Sequence, residues 1–455
     1  MQASLIRAVL LAAAPFIMGS GLVLSACAQE VVASPPGDPQ PVGGERTFPR
    51  AIGYGAATVG GSGGKIIYVS NHNDAGPGSL RDCLKSPGRR TCVFRVGGVF
   101  RFATTPPIIR DPYLTIAGQT APGGGVLIAH AGGSQARTPI VIKRTHDVIV
   151  RHVRVRLDRL SDNRESDDAI TIEDSHDVIV DHVSASWASD ELINGFADND
   201  RITISNSIFS YGIPRHDKCA LLSSDPKDAQ NVSFIGNICA HSGDRNPDIN
   251  FPPGSCVEVV NNVFYNAQSQ FAEVWESYGG TPVSIVGNSF ISGPDTTDSA
   301  QGVVREVFGS SGRASIYLWD NAFTGSFDRI TASAKAVLVE TPPCPLTIKP
   351  MTAANAHDAV LANAGAWPRD GIDRSVVNDI RRGTGNIVKQ PGTFAALWTE
   401  APYPVQDRDG MDDRWEQEHG ANPQVADPWG NADDDAYSNF ENFLAYREQI
   451  LQSAS

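Results

Sequence analysis

Beyond its first 28 residues the chain has no apolar run near the roughly 18 residues that cross a bilayer, so no later segment is expected to span a membrane. It has no CxxC pair, which argues against a zinc site. Positive charge is scarce. Only 37 basic residues, eight of them lysine, face 51 acidic ones, and the formal net charge of −14 excludes a nucleic-acid binder that depends on a broadly basic face. An anionic ligand must then be met by local cations or by a bound metal. The LxxLxL signature and the Gly-His to Trp-Asp period are missing, so leucine-rich and propeller arrays are set aside. Glycine (43) and proline (30) are plentiful in the 455 residues, which points to β structure with many corners and few long helices.

The opening segment carries Arg7, an apolar stretch from Ala8 to Leu24, and the small residues Ser25, Ala26 and Ala28 around Cys27. That order predicts a secretory signal peptide over residues 1–28. Cleavage after Ala28 fits, and so does cleavage before Cys27 with lipid on its sulfur, because Leu24-Ser25-Ala26-Cys27 is similar to a bacterial lipobox. Either route exports the protein, as a secreted, periplasmic or outer-membrane species, with a membrane engaged only through a lipid on Cys27. Cys83, Cys92, Cys219, Cys239, Cys256 and Cys344 remain, an even number that favours disulfides after export. Cys83 and Cys92 flank a short turn and could close one; the other pairings are open.

From residue 148 an apolar alternating run followed by His or Asn recurs: Val-Ile-Val-Arg-His152, Val-Ile-Val-Asp-His182, Ile-Thr-Ile-Ser-Asn206, Ser-Phe-Ile-Gly-Asn237, Glu-Val-Val-Asn-Asn262, Ser-Ile-Val-Gly-Asn288 and Tyr-Leu-Trp-Asp-Asn321. The steps are 30, 24, 31, 25, 26 and 33. Short period-2 runs are strands, and their recurrence at this spacing predicts stacked coils of a parallel β-helix with loops of variable length at one corner. The repeated Asn suits a corner, where its amide bonds to neighbouring coils and its backbone tolerates positive φ. Upstream, Ile66–Val69, Cys92–Val96, Leu114–Ala117 and Val126–Ile128 read as strands, and Ser79–Leu84 as a helix capping the stack.

Pro49-Arg50-Ala51-Ile52-Gly53-Tyr54-Gly55, Gly76-Pro77-Gly78-Ser79-Leu80-Arg81, Thr115-Ile116-Ala117-Gly118-Gln119-Thr120-Ala121-Pro122-Gly123 and Asp181-His182-Val183-Ser184-Ala185-Ser186-Trp187 resemble the polysaccharide lyase family 1 pectate lyases, in the same order and over about residues 49–325. The resemblance implies a single-stranded right-handed parallel β-helix, an exported enzyme, and calcium-assisted β-elimination of polygalacturonate. It places calcium at Asp168, Asp190 and Asn194, with Ser166 where a further acid often stands. It assigns the base to Arg245, within His241-Ser242-Gly243-Asp244-Arg245-Asn246-Pro247, and a substrate-binding role to Lys218. Asn250 occupies the position of a second substrate-binding arginine, a departure that puts that subsite in question. His182 is expected in a side-chain ladder, and Trp187 in packing or as a sugar platform.

The chemistry can be argued without the family. Elimination across C4 and C5 of a uronate removes a weakly acidic proton beside a carboxylate whose charge must first be neutralised. Calcium, hard and tolerant of irregular oxygen donors, suits that task. A guanidinium is normally always charged, so Arg245 as a base requires neighbours that favour its neutral form. Three rivals stand beside this reading: a lyase on methylated pectin or another uronan, a hydrolase on the same fold, and a non-catalytic polysaccharide-binding β-helix. The partner expected is an acidic cell-wall polysaccharide, and a monomer is expected.

The domain reading is a signal peptide at 1–28, a linker at 29–48, the β-helix at 49–345, a helical extension at 346–400 with helices at 353–361 and 374–382, and an acidic tail at 401–455. Residues 407–455 hold 12 acids against 3 arginines. Two runs there, Asp407 to Asp413 and Asn431 to Glu441, resemble calcium loops of the thrombospondin type 3 or dockerin kind, with Ala436 in place of the turn glycine and Asn442 in place of a bidentate Glu.

Overall fold

The computed structural model describes residues 40–41, 46–162, 167–214 and 216–453. The signal segment with Cys27, most of the linker, Ser166 and Arg215 lie outside the described residues.

Three parallel sheets of ten, nine and nine strands wind into a right-handed β-helix. The first sheet starts at Lys65–Val69 and ends at Ser315–Trp319; the second runs from Gly98–Phe102 to Ala322–Thr324; the third runs from Ile108–Ile109 to Asp328–Ile330. Alternation along each strand sends every second side chain inward. In-register pairing then stacks like on like. Val148, Val178, Ile202, Val232, Val257, Val283 and Ile316 form one buried column of the first sheet. Phe264, Phe290 and Phe323 continue the core beneath the second sheet, with centroids 5.1 and 4.9 Å apart. Each of these side chains that is fully buried, Phe323 being only partly so, contributes about 1.5–3 kcal/mol.

The corner between the first and second sheets uses two adjacent positions. One has positive φ and is filled by His152, His182, Asn206, Gly236, Asn261, Gly287 and Asp320. The next is the amide ladder proper. Ser207 N donates to Asn237 Oδ1 (2.9 Å), Asn237 N to Asn262 Oδ1 (2.8 Å), Asn262 N to Asn288 Oδ1 (2.8 Å) and Asn288 N to Asn321 Oδ1 (3.0 Å). The sequence repeat merged the two positions. Because Ser205 pairs with Ile235, Asn206 matches Gly236 rather than Asn237, and the apparent step of 31 is 30.

Helix α1 (Leu80–Lys85) begins at Ser79, whose hydroxyl accepts from Asp82 N, and packs Leu80, Cys83 and Leu84 at the start of the stack. A short α2 (Ala332–Lys335) contacts the other end. Helices α3 (Ala353–Asn363) and α4 (Gly371–Arg382) lay Val360, Leu361, Val376, Val377 and Ile380 on Ile208, Ile238, Val263 and Tyr265, on the outer face of the second sheet. The acidic segment is ordered against the early coils. Met411, with Trp415 of α5 (Asp413–His419) and Phe440, Phe443 and Leu444 of α6 (Asn439–Ser453), packs on Val93 and Ala117. Among the described residues no helix is long and apolar enough to cross a membrane.

Three disulfides join Cys83 to Cys92, Cys219 to Cys239 and Cys256 to Cys344.

Candidate active site

The site lies on successive coils of the third sheet and on the turns entering it. Parallel pairing of Ile170–Glu173 with Glu191–Phe196 matches Thr171 to Asn194, and that of Glu191–Phe196 with Lys218–Leu221 matches Glu191 to Lys218. Lys218 in turn bridges Asp244, and Asp248 pairs with Glu273. Residues 168 to 273 in the chain thus become neighbours across five coils.

Asp168 is the fixed point. Its Oδ2 accepts from Thr171 Oγ1 at 2.6 Å and from Asn194 Nδ2 at 2.9 Å, and its Oδ1 accepts from Glu191 N at 3.1 Å. Asp168, Asp190 and Glu191 each present an oxygen within 4.8 Å of the others. Burial and then the Glu191 charge push the Asp168 carboxyl up to about 7 and the Asp190 carboxyl up to about 8. His216 Nδ1 lies 3.3 Å from Asp190 Oδ1. Asn194 Oδ1 is buried without a hydrogen-bond partner. Three crowded carboxylates and an orphaned amide oxygen form an oxygen-only donor set, which fits a hard divalent cation such as calcium.

Arg245 faces this cluster. Its Nη1 donates to Glu191 Oε1, its Nε lies 3.6 Å from Asp248 Oδ2, and its backbone N donates to Glu273 Oε1 at 2.7 Å. Burial alone would favour the neutral guanidine, but Glu191, Asp248, Glu273 and Asp244 together hold its pKa above the ordinary value. Burial and Asp244 push Glu273 up to about 7, while burial and Glu273 raise Asp248 well above the usual carboxylate range. Lys218 Nζ pairs with Asp244 Oδ1.

The structure brings Asp168, Asp190, Asn194, Lys218 and Arg245 into one acidic patch. Asn250 follows the Asp248–Ile249 strand, and its Oδ1 is buried without a hydrogen-bond partner. Trp187 is buried at 5% exposure and packs close to Gly392, while His182 stacks on His152 at 4.8 Å. Sequence reasoning missed Glu191, His216, Asp248 and Glu273. Glu191 was marked by its place beside Asp190, whereas Asp248 and Glu273 join the site only through coil stacking.

A family profile described as pectate lyase matches residues 124–368, more than half the chain. The chain is 33% identical over 394 residues to a protein of Aspergillus terreus named "Probable pectate lyase C", covering 84% of this chain and 89% of that protein. It is 25% identical over 270 residues to "Probable pectate lyase 4" of Arabidopsis thaliana, covering 57% and 67%. Among solved structures, the major allergen of cedar pollen superposes with a TM-score of 0.51 at 21% identity, over 70% of this chain and 93% of that one. A Bacillus subtilis pectate lyase variant superposes at 0.50 and 15% identity, over 73% and 99%, so both show a shared fold. The profile spans the coils that carry Asp168, Glu191 and Arg245, the fungal likeness runs through nearly the whole described molecule, and the chain accordingly belongs to the pectate lyase family of polysaccharide lyases.

Proposed function

We propose that this chain is an exported, calcium-dependent pectate lyase that cleaves polygalacturonate by β-elimination to 4,5-unsaturated oligogalacturonates. The observation that carries the reading is the opposition of the Asp168, Asp190 and Glu191 carboxylates to Arg245 across the coil that carries Lys218. Export is supported by the hydrophobic opening segment and the three disulfides, which persist in oxidising compartments.

Asp168, Asp190, Glu191 and Asn194 would hold calcium, which supplies charge withdrawal from the uronate carboxylate. The chain's own residues do the rest. Lys218 exchanges Asp244 for a uronate carboxylate, a cation suited to an anionic polymer in an acidic protein. Arg245 accepts the C5 proton as the C4–O bond breaks and the C4–C5 double bond forms, the departing oxygen taking a proton from solvent. It can do so only as a neutral guanidine, and its pairing with Glu191 favours the charged form. With a cation held by these acids, Glu191 would offer less negative charge to Arg245, whose pKa it raises more than any other charge does. Asn250 in place of a cation lowers the charge offered to a neighbouring uronate.

The test is ultraviolet absorbance of the conjugated product during incubation with polygalacturonate, with calcium and then with chelator. A rise that the chelator stops is expected. No rise on any uronan tried, or reducing ends released without absorbance, overturns the proposal in favour of a binding protein or a hydrolase.

A further inference from the structure

The described residues hold two further clusters of potential metal-binding side chains besides the active site. In one, His152, His182 and Glu448 converge, but Arg50 and Arg151 already pair with Glu448. The other lies in the C-terminal segment, where Asp407, Asp409 and Glu416 bring carboxylate oxygens within 4.8 Å of one another.

This second cluster is built unlike an ordinary acidic surface. Glu416 has no exposed surface, and both its Oε1 and Oε2 are buried without a hydrogen-bond partner. Asp409 is 2% exposed. Its Oδ1 accepts from Met411 N at 2.9 Å, while Oδ2 is buried and unpartnered. Asp407 repeats the arrangement, with Oδ1 accepting from Asp409 N at 3.2 Å and Oδ2 buried and unpartnered. Backbone donors thus orient the two loop acids, leaving one oxygen of each for a fourth party. The charges felt most strongly by Glu416 are Asp409, Asp407, Asp413 and Asp427, all acidic. Burial and those neighbours push Glu416 up to about 8, and burial and Asp407 push Asp409 up to about 7. Four buried carboxylate oxygens without donors are costly unless a cation meets them.

The second acidic run is different. Asn442 Nδ2 donates to Asp433 Oδ2 and Asp435 Oδ2, both at 3.1 Å, and Asp435 Oδ1 accepts from Tyr437 N at 2.7 Å. Asp433 and Asp435 are exposed and already bonded.

We infer that Asp407, Asp409 and Glu416 form a second calcium site, separate from the active site, that fastens the C-terminal segment to the early coils. Oxygen-only donors drawn from an irregular loop and a helix favour calcium over softer ions and over magnesium's strict octahedron. Met411, between the loop acids and the helix, and Trp415, beside Glu416, belong to the cluster that packs on Val93 and Ala117. A cation here therefore joins charge neutralisation to that apolar contact.

The experiment uses the full chain stripped with chelator and titrated with calcium alone, reading stoichiometry by calorimetry and melting temperature by calorimetric scan. The parent is expected to bind two ions and Glu416→Gln one. In the variant the calcium-dependent rise in melting temperature falls sharply, while turnover at saturating calcium is retained. Asp190→Asn is expected to lose the other ion, so failure at one site is read apart from failure at the other. In chelator Glu416→Gln should melt no lower than the parent, because its amide can donate to the buried carboxylate oxygens of Asp407 and Asp409 that otherwise lack a donor. If that variant does not fold, Asp407→Asn carries the same comparison. An unchanged stoichiometry in the variant that folds, or an unchanged calcium-dependent rise, overturns the site.

Discussion

At the scale of the residue, the acidic patch is organised around Glu191. Its backbone N donates to Asp168, its carboxylate crowds Asp168 and Asp190, and it pairs with Arg245. Glu191→Gln is expected to weaken calcium binding about tenfold or more, measured by titration calorimetry. Unchanged calcium affinity would move Glu191 out of the donor set. Arg245→Ala should cost at least about 10²–10⁴ in turnover while substrate binding largely survives, read from initial rates and from binding to oligogalacturonate. Retained turnover would remove Arg245 as the base. Asp168, Asp190 and Arg245, which the structure brings together, were legible as candidates because each lies in a short stretch of characteristic order. Glu273 was not, since a lone Glu in an apolar strand gives no sign that Arg245 N will bond to it.

At the scale of the element, the amide ladder replaces solvent along one corner. Asn262 donates its backbone N to Asn288 and its Nδ2 to Phe234 O at 2.9 Å, and accepts from Asn237 N. Asn262→Ala removes the partner of Asn237 N and of Phe234 O on the preceding coil and should cost about 1–3 kcal/mol, checked by chemical denaturation. The strands themselves were readable because period-2 alternation directly reports an inward face. The register between coils was not: a repeat counted along the chain cannot tell the positive-φ position from the ladder position beside it, and only pairing of Ser205 with Ile235 separates them.

At the scale of the whole molecule, Glu448 on α6 ties the end of the chain to its early coils. It pairs with Arg50 at 2.8 Å and with Arg151, itself held by Asp181 at 2.9 Å. Glu448→Ala should cost about 3–5 kcal/mol, because it leaves buried arginines undercompensated. Despite its burial, Arg151 and Arg50 hold the Glu448 carboxyl well below the ordinary range. A depressed carboxylate contributes fully above its unfolded pKa of about 4.3, and the contribution is lost as pH falls through the folded value. The difference in melting temperature between the parent and Glu448→Gln should thus be full near neutrality and shrink below about pH 4. Burial likewise lowers His152 to about 4, so its contribution is lost as pH falls from about 6.5 towards that value.

The sequence by itself determined the stacked-coil fold, the capping helix at Ser79, two helices placed at 353–361 and 374–382 that run over Ala353–Asn363 and Gly371–Arg382, and the acids and arginine proposed for one site. Local order suffices where the signal is a strand's alternation, a cap's hydroxyl or a run of residues on one turn. Only the tertiary structure decided that Cys219 meets Cys239 and Cys256 meets Cys344, and that Asp248 and Glu273 surround Arg245. It also separated two acidic runs of similar composition, burying Asp409 and Glu416 beside the half-buried Asp407 while leaving Asp433 and Asp435 bonded at the surface. Those outcomes depend on how coils stack and on which face the chain's end covers, and burial, which sets the cost of every unpaired charge, exists only once that packing is made.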